Sequence, residues 1–212
     1  MNVENSIKQS QLIQNYYNFQ STIYDATRWS FLFGRKLIID KIAKVTSPKV
    51  ILEIGCGTGY NLKNLSKVFS NSKILGLDVS KDMLNIAKKK VKANTNIQLI
   101  DGAYGNTNII NENAPDVILF SYTLTMVNPE FSAMITQAYE DLNPGGYIAV
   151  VDFYNSKHTW FRNHMGNHHV RMESHLTPVL EEKFETIDNS VYEAYLETWE
   201  YFTYIGKKKE LV

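Results

Sequence analysis

The sequence contains a single cysteine, Cys56, among its 212 residues. One cysteine cannot form an internal disulfide, and it cannot supply a zinc site built on a cysteine cluster. Stability must therefore come from an apolar core, for which the chain length and 44% of hydrophobic residues are sufficient. We interpret Cys56 as a small packing residue and not as a nucleophile, because no base accompanies it in the sequence.

Net charge and long apolar runs are also missing. Lys and Arg together number 22, as do Asp and Glu, so the formal net charge is zero. Proteins that bind nucleic acid normally carry a basic excess, so nucleic acid is not an expected partner. No stretch approaches the roughly 20 apolar residues of a membrane-spanning helix. The first twenty residues also lack the layout of a signal peptide. We expect a cytoplasmic protein with at most peripheral membrane contact.

The chain divides into three stretches of different pattern. Residues 1–47 contain one glycine and apolar residues at helical spacing, which predicts a helical addition that we interpret as a lid. Residues 48–153 alternate short apolar runs with helical stretches, which is typical of a cofactor-binding core. Residues 154–212 hold a His-rich segment and two Tyr-rich runs that can pair as a hairpin. The expected fold is one α/β domain with a doubly wound, mostly parallel, seven-stranded sheet and a C-terminal antiparallel hairpin.

The individual elements follow from the same patterns. Strands are predicted over 49–54, 73–77, 97–100, 116–122 and 147–153, and the hairpin over 185–193 and 199–207. Helices are predicted over 61–68, 80–91, 129–142 and near 178–184, with Ser80 as the N-cap of the second.

A glycine loop, Gly55-Cys56-Gly57-Thr58-Gly59, follows the first predicted strand. Glycines let the backbone approach a ligand, and the next helix presents free N–H groups there. Asp78 ends the second strand, where a carboxylate can accept hydrogen bonds from both hydroxyls of a ribose. The spacing Gly-x-Gly-x-Gly differs from the Gly-x-Gly-x-x-Gly of dinucleotide sites, so the pattern disfavours NAD.

These motifs resemble those of the class I S-adenosylmethionine-dependent methyltransferases over about residues 48–153. The resemblance rests on five stretches: Glu53–Gly59, Leu75–Ser80 with Met83 and Leu84, Asp101–Ala103, Asp116–Tyr122 and Leu142–Tyr147. It implies a Rossmann-like fold and S-adenosylmethionine as cofactor, with Asp78 on the ribose and Asp101 beside the adenine amino group. The implied cofactor-binding residues are Glu53, Gly55, Cys56, Gly57, Gly59, Asp78, Val79, Met83, Asp101, Gly102, Ala103 and Ser121.

The segment 23–35 is more loosely similar to the opening of the methyltransferases that act on betaine lipids and phospholipids. That similarity implies an amine acceptor, such as the head group of a polar lipid, and aromatic faces stabilise methylated ammonium groups. The candidates for such an aromatic wall are Tyr24, Tyr122 and one or two of Tyr154, Trp160, Tyr201 and Tyr204. We predict Tyr24, Tyr122 and His168 as catalytic residues, and Arg28, Arg35 and Tyr204 as acceptor-binding residues. The alternatives are O- or C-methylation of a soluble small molecule, and a cofactor-binding protein without transfer activity.

Five histidines lie between residues 158 and 175. His164 and His168 are four residues apart and can share a helix face, but a metal site needs a third ligand and orienting neighbours. No glutamate stands in a recognised arrangement beside them, so we predict no metal. One of His164, His168 and His169 remains a candidate base.

Overall fold

The computed structural model describes residues 32–105, 114–167 and 169–209. They contain a seven-stranded sheet with the order β3-β2-β1-β4-β5-β7-β6. The strands are β1 Val50–Ile54, β2 Lys73–Asp78, β3 Ile97–Asp101, β4 Val117–Ser121, β5 Tyr147–Phe153, β6 Phe184–Ala194 and β7 Trp199–Lys208. The first five pair in parallel, whereas β7 runs antiparallel to β5 and β6 antiparallel to β7. The predicted Rossmann-like sheet with a terminal hairpin is confirmed.

Helices connect the strands and cover both faces of the sheet. They are α1 Arg35–Val45, α2 Tyr60–Val68, α3 Lys81–Lys90, α4 Phe131–Asp141, α5 Thr159–Asn167 and α6 Leu176–Lys183. On one face, α1 and α2 pack with residues such as Val151 and Ile205. On the other, α4 and α6 pack with Phe120 and Phe202. None of the helices within the described ranges is long and apolar enough to cross a bilayer.

Ser80 is the N-cap of α3, as predicted, because its hydroxyl accepts a hydrogen bond from the backbone N–H of Met83 at 3.4 Å. Helix α5 was not predicted. It lies inside the His-rich segment and buries a single side chain, Phe161. One buried residue in nine produces no apolar periodicity, so the segment reads as polar in sequence.

Helix α1 is the described part of the segment that we interpreted as a lid. Its residues Ile38, Ile39 and Ile42 are buried against the sheet. Lys41 is also largely buried, with 13% of its side chain exposed, and it forms an ion pair with Asp188 of β6. Its ammonium group donates further hydrogen bonds to strands β6 and β7, to the hydroxyl oxygens of Ser190 (3.1 Å) and Thr203 (2.9 Å). Helix α1 is therefore fixed to the body of the fold, and the lid interpretation now concerns residues 1–31, which lie outside the described residues.

Candidate cofactor site

The glycine loop joins β1 to α2 at the carboxyl edge of the parallel strands. Gly55, Gly57 and Gly59 all have positive φ angles, of 71°, 52° and 75°. A Cβ atom on Gly55 would lie 2.7 Å from Oγ1 of Thr123, so this glycine is required by close packing. A Cβ atom on Gly57 would meet no atom of the described residues within 4 Å. The loop backbone therefore faces open space at Gly57, where a ligand can approach it.

Asp78 fastens this loop from the end of β2. Its Oδ2 accepts a hydrogen bond from the backbone N–H of Gly57 at 2.7 Å, and its Oδ1 accepts one from the N–H of Ser80 at 2.9 Å. Burial raises the pKa of this carboxyl, although the backbone hydrogen bonds from Ser80 and Gly57 oppose the shift. Each carboxylate oxygen can accept a second hydrogen bond. Asp78 can thus hold the loop and a ribose at once, and the first of these roles was not visible in the sequence.

Glu53 is buried in β1 directly before the loop, with 1% of its surface exposed. Its Oε1 accepts a hydrogen bond from Nδ2 of Asn61 at 2.7 Å, whereas its Oε2 has no hydrogen-bond partner among the described residues. Burial raises the pKa of Glu53 to about 8, and the nearby charge of Arg35 opposes that rise. An orphaned oxygen of this kind is costly unless a ligand satisfies it. A cationic group such as the ammonium of S-adenosylmethionine would do so, and the residues present therefore fit this cofactor.

The residues predicted for the adenine end lie where β2 and β3 finish side by side. Asp78 and Asp101 are opposite each other in the register of these strands, and the N–H of Gly102 donates to the carbonyl of Asp78 at 3.1 Å. The Asp101 carboxylate is half exposed, with the Lys81 ammonium 3.5 Å away. Ala103 and Val79 are half-buried beside them. Met83 is only 2% exposed, which makes it a packing residue behind this edge.

The residue predicted for the methyl-transfer end, Ser121, lies at the end of β4. Ser121 is half-buried there, and the hydroxyl of Thr123 donates to the carbonyl oxygens of Ile54 (3.2 Å) and Ser121 (3.3 Å). Cys56 is buried, and burial raises its pKa well above the ordinary value of a thiol. That environment disfavours a thiolate and agrees with a packing role.

Tyr122 does not form part of an exposed aromatic wall. Its side chain is 4% exposed, and its hydroxyl donates to the backbone carbonyl of Phe33 at 2.9 Å. Its ring meets the edge of Phe153, with 4.7 Å between the centroids. Because both its ring and its hydroxyl are engaged inside the protein, this placement gives no support to a catalytic role for Tyr122, which stays a prediction.

Tyr204 is likewise placed in the core, so the structure gives no support to its predicted contact with the acceptor. It is fully buried in β7, and its hydroxyl lies 3.1 Å from that of Thr186. Arg35 lies at the cofactor end, where its guanidinium carbon is 3.9 Å from the ring centroid of Tyr60. Its charge reaches Glu53, a neighbourhood that the sequence had not indicated. Tyr24, Arg28 and His168 lie outside the described residues.

The remaining histidines do not gather at one point. His158, His164 and His169 are exposed. His175 is half-buried with its ring 4.8 Å from that of Phe131, and burial lowers its pKa to about 4. Across the part of the chain that the structure describes, no three His, Cys, Asp or Glu side chains come together in a way that could hold a metal ion.

Residues 51–146 match a family described as a methyltransferase domain. A malonyl-acyl-carrier-protein O-methyltransferase of Priestia megaterium is 31% identical over 68% of this chain and 52% of the relative. A demethylmenaquinone methyltransferase of Oceanobacillus iheyensis is 29% identical over 53% of this chain and 48% of the relative. This chain thus spans about half the length of these relatives. A carboxy-S-adenosyl-L-methionine synthase of Campylobacter curvus is 25% identical over 72% of this chain and 73% of that protein.

Solved structures show the same fold. The 1,6-didemethyltoxoflavin-N1-methyltransferase of Burkholderia thailandensis, bound to its substrate and to S-adenosylhomocysteine, superposes with a TM-score of 0.75. The superposition covers 96% of this chain and 90% of that one at 12% identity. The N-methyltransferase NodS of Bradyrhizobium japonicum gives a TM-score of 0.68 over 83% of this chain and 86% of that one, at 13% identity. The named relatives give no support to a betaine-lipid enzyme.

Proposed function

We propose that the chain is a class I S-adenosylmethionine-dependent methyltransferase and transfers the methyl group of S-adenosylmethionine to a small-molecule acceptor. The match of residues 51–146 to a methyltransferase domain supports this proposal. The observation that carries the proposal is the glycine loop, which Asp78 fastens at the N–H of Gly57 while the loop backbone faces open space. The orphaned Oε2 of buried Glu53 lies in the strand that leads into this loop.

The chemistry asks little of the protein beyond binding and alignment. The cofactor supplies a methyl carbon already activated by its bond to a positive sulfur, so an acceptor can displace the sulfur in line. The residues of this chain supply proximity and orientation, which are worth several orders of magnitude in rate. Asp78 is assigned to the ribose hydroxyls, Asp101 to the adenine amino group and Glu53 to the ammonium of the amino-acid tail. The backbone of the loop from Gly55 to Gly59 is assigned to contact the amino-acid tail of the cofactor.

The acceptor is proposed to be a small molecule methylated at oxygen or carbon, which was the alternative to an amine in the sequence interpretation. Relatives named for a malonyl thioester and for demethylmenaquinone support this direction. An amine on a polar lipid needs an aromatic wall, and the rings proposed for it are mostly engaged elsewhere. Tyr201 stacks on Tyr192 with 5.2 Å between the centroids, and Tyr154 packs on Phe202 at 5.9 Å. Trp160 is the exposed ring of the set, with 64% of its surface accessible.

The primary experiment measures binding of S-adenosylhomocysteine and of NAD by calorimetry on the same protein. The proposal expects saturable binding of the first and none of the second. Incubation with methyl-labelled S-adenosylmethionine and separated lipid and polar metabolite extracts then identifies the acceptor class. Label in the polar extract, or in the quinones of the lipid extract, supports a small-molecule acceptor, and label confined to amine-headed polar lipids supports the amine interpretation. Absence of S-adenosylhomocysteine binding rejects the function altogether.

A second candidate is an enzyme that modifies the cofactor itself. It is favoured by the relative named carboxy-S-adenosyl-L-methionine synthase, which matches along 73% of its own length. Mass spectrometry of the recovered cofactor separates the two candidates. A methyltransferase converts it to S-adenosylhomocysteine in proportion to acceptor methylation. The second candidate, supplied with a carboxyl donor, would replace a hydrogen of the cofactor's methyl group by the donor's carboxyl group, which raises the mass of the cofactor and leaves no methylated acceptor.

A further inference from the structure

We propose that His175 binds an uncharged oxygen of the methyl acceptor, a hydroxyl or a carbonyl, at the carboxyl ends of β4 and β5. The inference rests on the proposed function and extends it, because it names the chemistry of the acceptor and a residue that recognises it. His175 is assigned a specificity-determining role, and no proton transfer is asked of it. It is separate from every residue assigned to the cofactor.

The first support is that the polar atoms of His175 are buried and unsatisfied. Neither Nδ1 nor Nε2 has a hydrogen-bond partner among the described residues. A neutral imidazole carries one N–H donor and one acceptor lone pair, so both of its hydrogen bonds are unmade. Such groups are costly to bury and require a ligand or an ordered water. The ring itself packs against Phe131 at an interplanar angle of 81°, with 4.8 Å between the centroids. Packing therefore fixes the ring while its two nitrogens stay without a described partner.

The second support is position, because His175 ends a segment that is fastened to the carboxyl ends of β4 and β5. The backbone N–H of Ser174 donates to the carbonyl of Tyr154 at 2.9 Å, and Tyr154 directly follows β5. The N–H of Arg171 donates to the carbonyl of Thr125 at 3.0 Å, shortly after the end of β4. Ligands of open parallel sheets bind outside the carboxyl ends of the strands. The segment that carries His175 therefore lies on the side from which an acceptor approaches.

The third support is that a buried carboxylate holds this segment in place. Asp152 of β5 is fully buried, and it accepts hydrogen bonds from the hydroxyl of Thr125 at 2.5 Å and from its backbone N–H at 3.2 Å. The carbonyl of Thr125 accepts from the N–H of Arg171 and from Nδ2 of Asn128, the latter at 2.8 Å. Thr125 thus links β5, the turn after β4 and the segment that leads to His175. Pre-organisation of this kind lowers the entropy lost when a ligand binds.

The charge state of His175 decides which group it can bind. Its pKa is lowered to about 4, mainly by burial and also by the nearby charge of Arg171, whereas Glu173 opposes the shift. The ring is therefore neutral near pH 7, and it does not attract a carboxylate or a phosphate through charge. A neutral imidazole pairs with an uncharged oxygen, because it accepts from a hydroxyl or donates to a carbonyl. The neighbouring ring of Phe131 adds an apolar contact surface.

The test separates recognition of the acceptor from folding and from cofactor binding. His175→Phe keeps a flat ring beside Phe131 and removes both nitrogens, whereas His175→Asn restores one donor and one acceptor. The assay uses methyl-labelled S-adenosylmethionine and serial dilutions of the polar extract or of the quinones of the lipid extract, whichever the wild type labels. It gives kcat and an apparent KM for the acceptor. Calorimetry measures the affinity for S-adenosylhomocysteine, and urea unfolding measures stability.

Thr177→Val is the matched control. The hydroxyl oxygen of Thr177 is also buried without a hydrogen-bond partner among the described residues, and Thr177 belongs to the first turn of α6, which His175 precedes. Side chains two positions apart do not face each other at a helix. The control therefore removes a comparable polar atom on a different side of the same turn.

We expect His175→Phe to raise the apparent KM for the acceptor about tenfold or more, because the oxygen of the bound acceptor then lacks its partner. The value of kcat and the affinity for S-adenosylhomocysteine stay within about twofold of the wild type. The free energy of unfolding does not fall, because an unsatisfied buried group has been replaced by an apolar ring. His175→Asn recovers part of the lost affinity for the acceptor, and Thr177→Val keeps the KM of the wild type.

Three outcomes overturn the inference. An unchanged KM in His175→Phe means that an ordered water alone satisfies the ring. A raised KM accompanied by weaker binding of S-adenosylhomocysteine and lower stability means that His175 only supports the fold beside Phe131. Label confined to amine-headed polar lipids means that the acceptor group is not an uncharged oxygen. If the wild type labels no extract and does not bind S-adenosylhomocysteine, the proposed function itself fails, which is a different and recognisable result.

Discussion

The hydroxyl of Tyr122 donates a hydrogen bond to the backbone carbonyl of Phe33, although the two residues are 89 positions apart in the chain. Tyr122 has a φ angle of 56° at the point where β4 ends beside the cofactor site. Phe33 precedes α1, and its ring packs against Tyr195 with 5.3 Å between the centroids. The hydrogen bond thus joins the end of β4 to the segment that leads into α1.

Replacement of Tyr122 by Phe separates a structural role from a catalytic one. The variant keeps the buried ring and loses one hydrogen bond, which we expect to lower the free energy of unfolding by about 1 kcal/mol. Urea unfolding measures this loss, and turnover is measured on the same preparation. If the hydroxyl participated in methyl transfer, kcat would fall by two orders of magnitude or more while stability changed little. Tyr204→Phe is the matched control, because it removes a buried hydroxyl far from the loop.

Asp78→Ala is expected to weaken the binding of S-adenosylhomocysteine at least tenfold. The substitution removes the proposed ribose contacts and also the acceptor of the Gly57 N–H, so the loop loses its fastening. Calorimetry measures the affinity, with Asp40→Ala as a control because Asp40 is exposed on α1. Unchanged affinity in the Asp78 variant would show that this carboxylate does not bind the cofactor.

Gly57→Leu tests whether the open space above the loop is where the ligand lies. The leucine enters space that no described atom occupies, at the cost of a strained φ angle of 52°. Gly145→Leu carries the same kind of strain, with a φ of 71°, at the opposite edge of the sheet. We expect similar losses of melting temperature in the two variants and loss of cofactor binding in the Gly57 variant alone. Normal binding in both would place the ligand elsewhere.

Glu53 gives the ligand-free protein a defined pH dependence. Folding raises its pKa from 4.5 to about 8, so the folded state keeps a proton that the unfolded state has lost. The stabilising contribution is complete below pH 4.5 and disappears as the pH rises through 8. Unfolding free energies measured between pH 7 and 8.5 should therefore decrease in the wild type. The range from pH 7 to 8.5 lies above the pKa of Asp152, which burial raises to about 6, so the titration of Asp152 contributes little to this slope.

Glu53→Gln is the control for this dependence. Glutamine keeps the acceptor oxygen for Asn61 and does not titrate, so the slope between pH 7 and 8.5 should flatten. Equal slopes in the two proteins would mean that Glu53 is ionised throughout this range in the folded state.

The parallel part of the sheet was predictable because each of its strands is a short apolar run bounded by a turn. All seven predicted strands are present, and the observed ends lie within one or two residues of the predicted ones. Asp78 and Asp101 could be placed at one edge for the same reason, since parallel strands carry their carboxyl ends together.

What the sequence could not supply is contact between residues that are distant in the chain. Tyr122 and Tyr204 were interpreted as site residues because tyrosines suit an ammonium acceptor, but their burial depends on partners far along the chain. Tyrosines bury a large apolar ring as readily as they bind a ligand. Arg35 was placed at the acceptor because nothing in its neighbouring residues indicates Tyr60 or Glu53. The sequence contains one weak signal of this position: Arg35 directly follows Gly34, the only glycine of residues 1–47, and is the first residue of a helix.

The attachment of Lys41 to β6 and β7 has a consequence for the order in which the protein takes shape. During synthesis α1 is made before every described strand of the sheet, and its anchoring partners Asp188, Ser190 and Thr203 follow Lys41 by 147, 149 and 162 residues. Until then Ile38 and its apolar neighbours have no surface of the hairpin to cover. The apolar face of α1 can pack on α2 and β5 once they are made, but the attachment through Lys41 forms only after β6 and β7 have been synthesised.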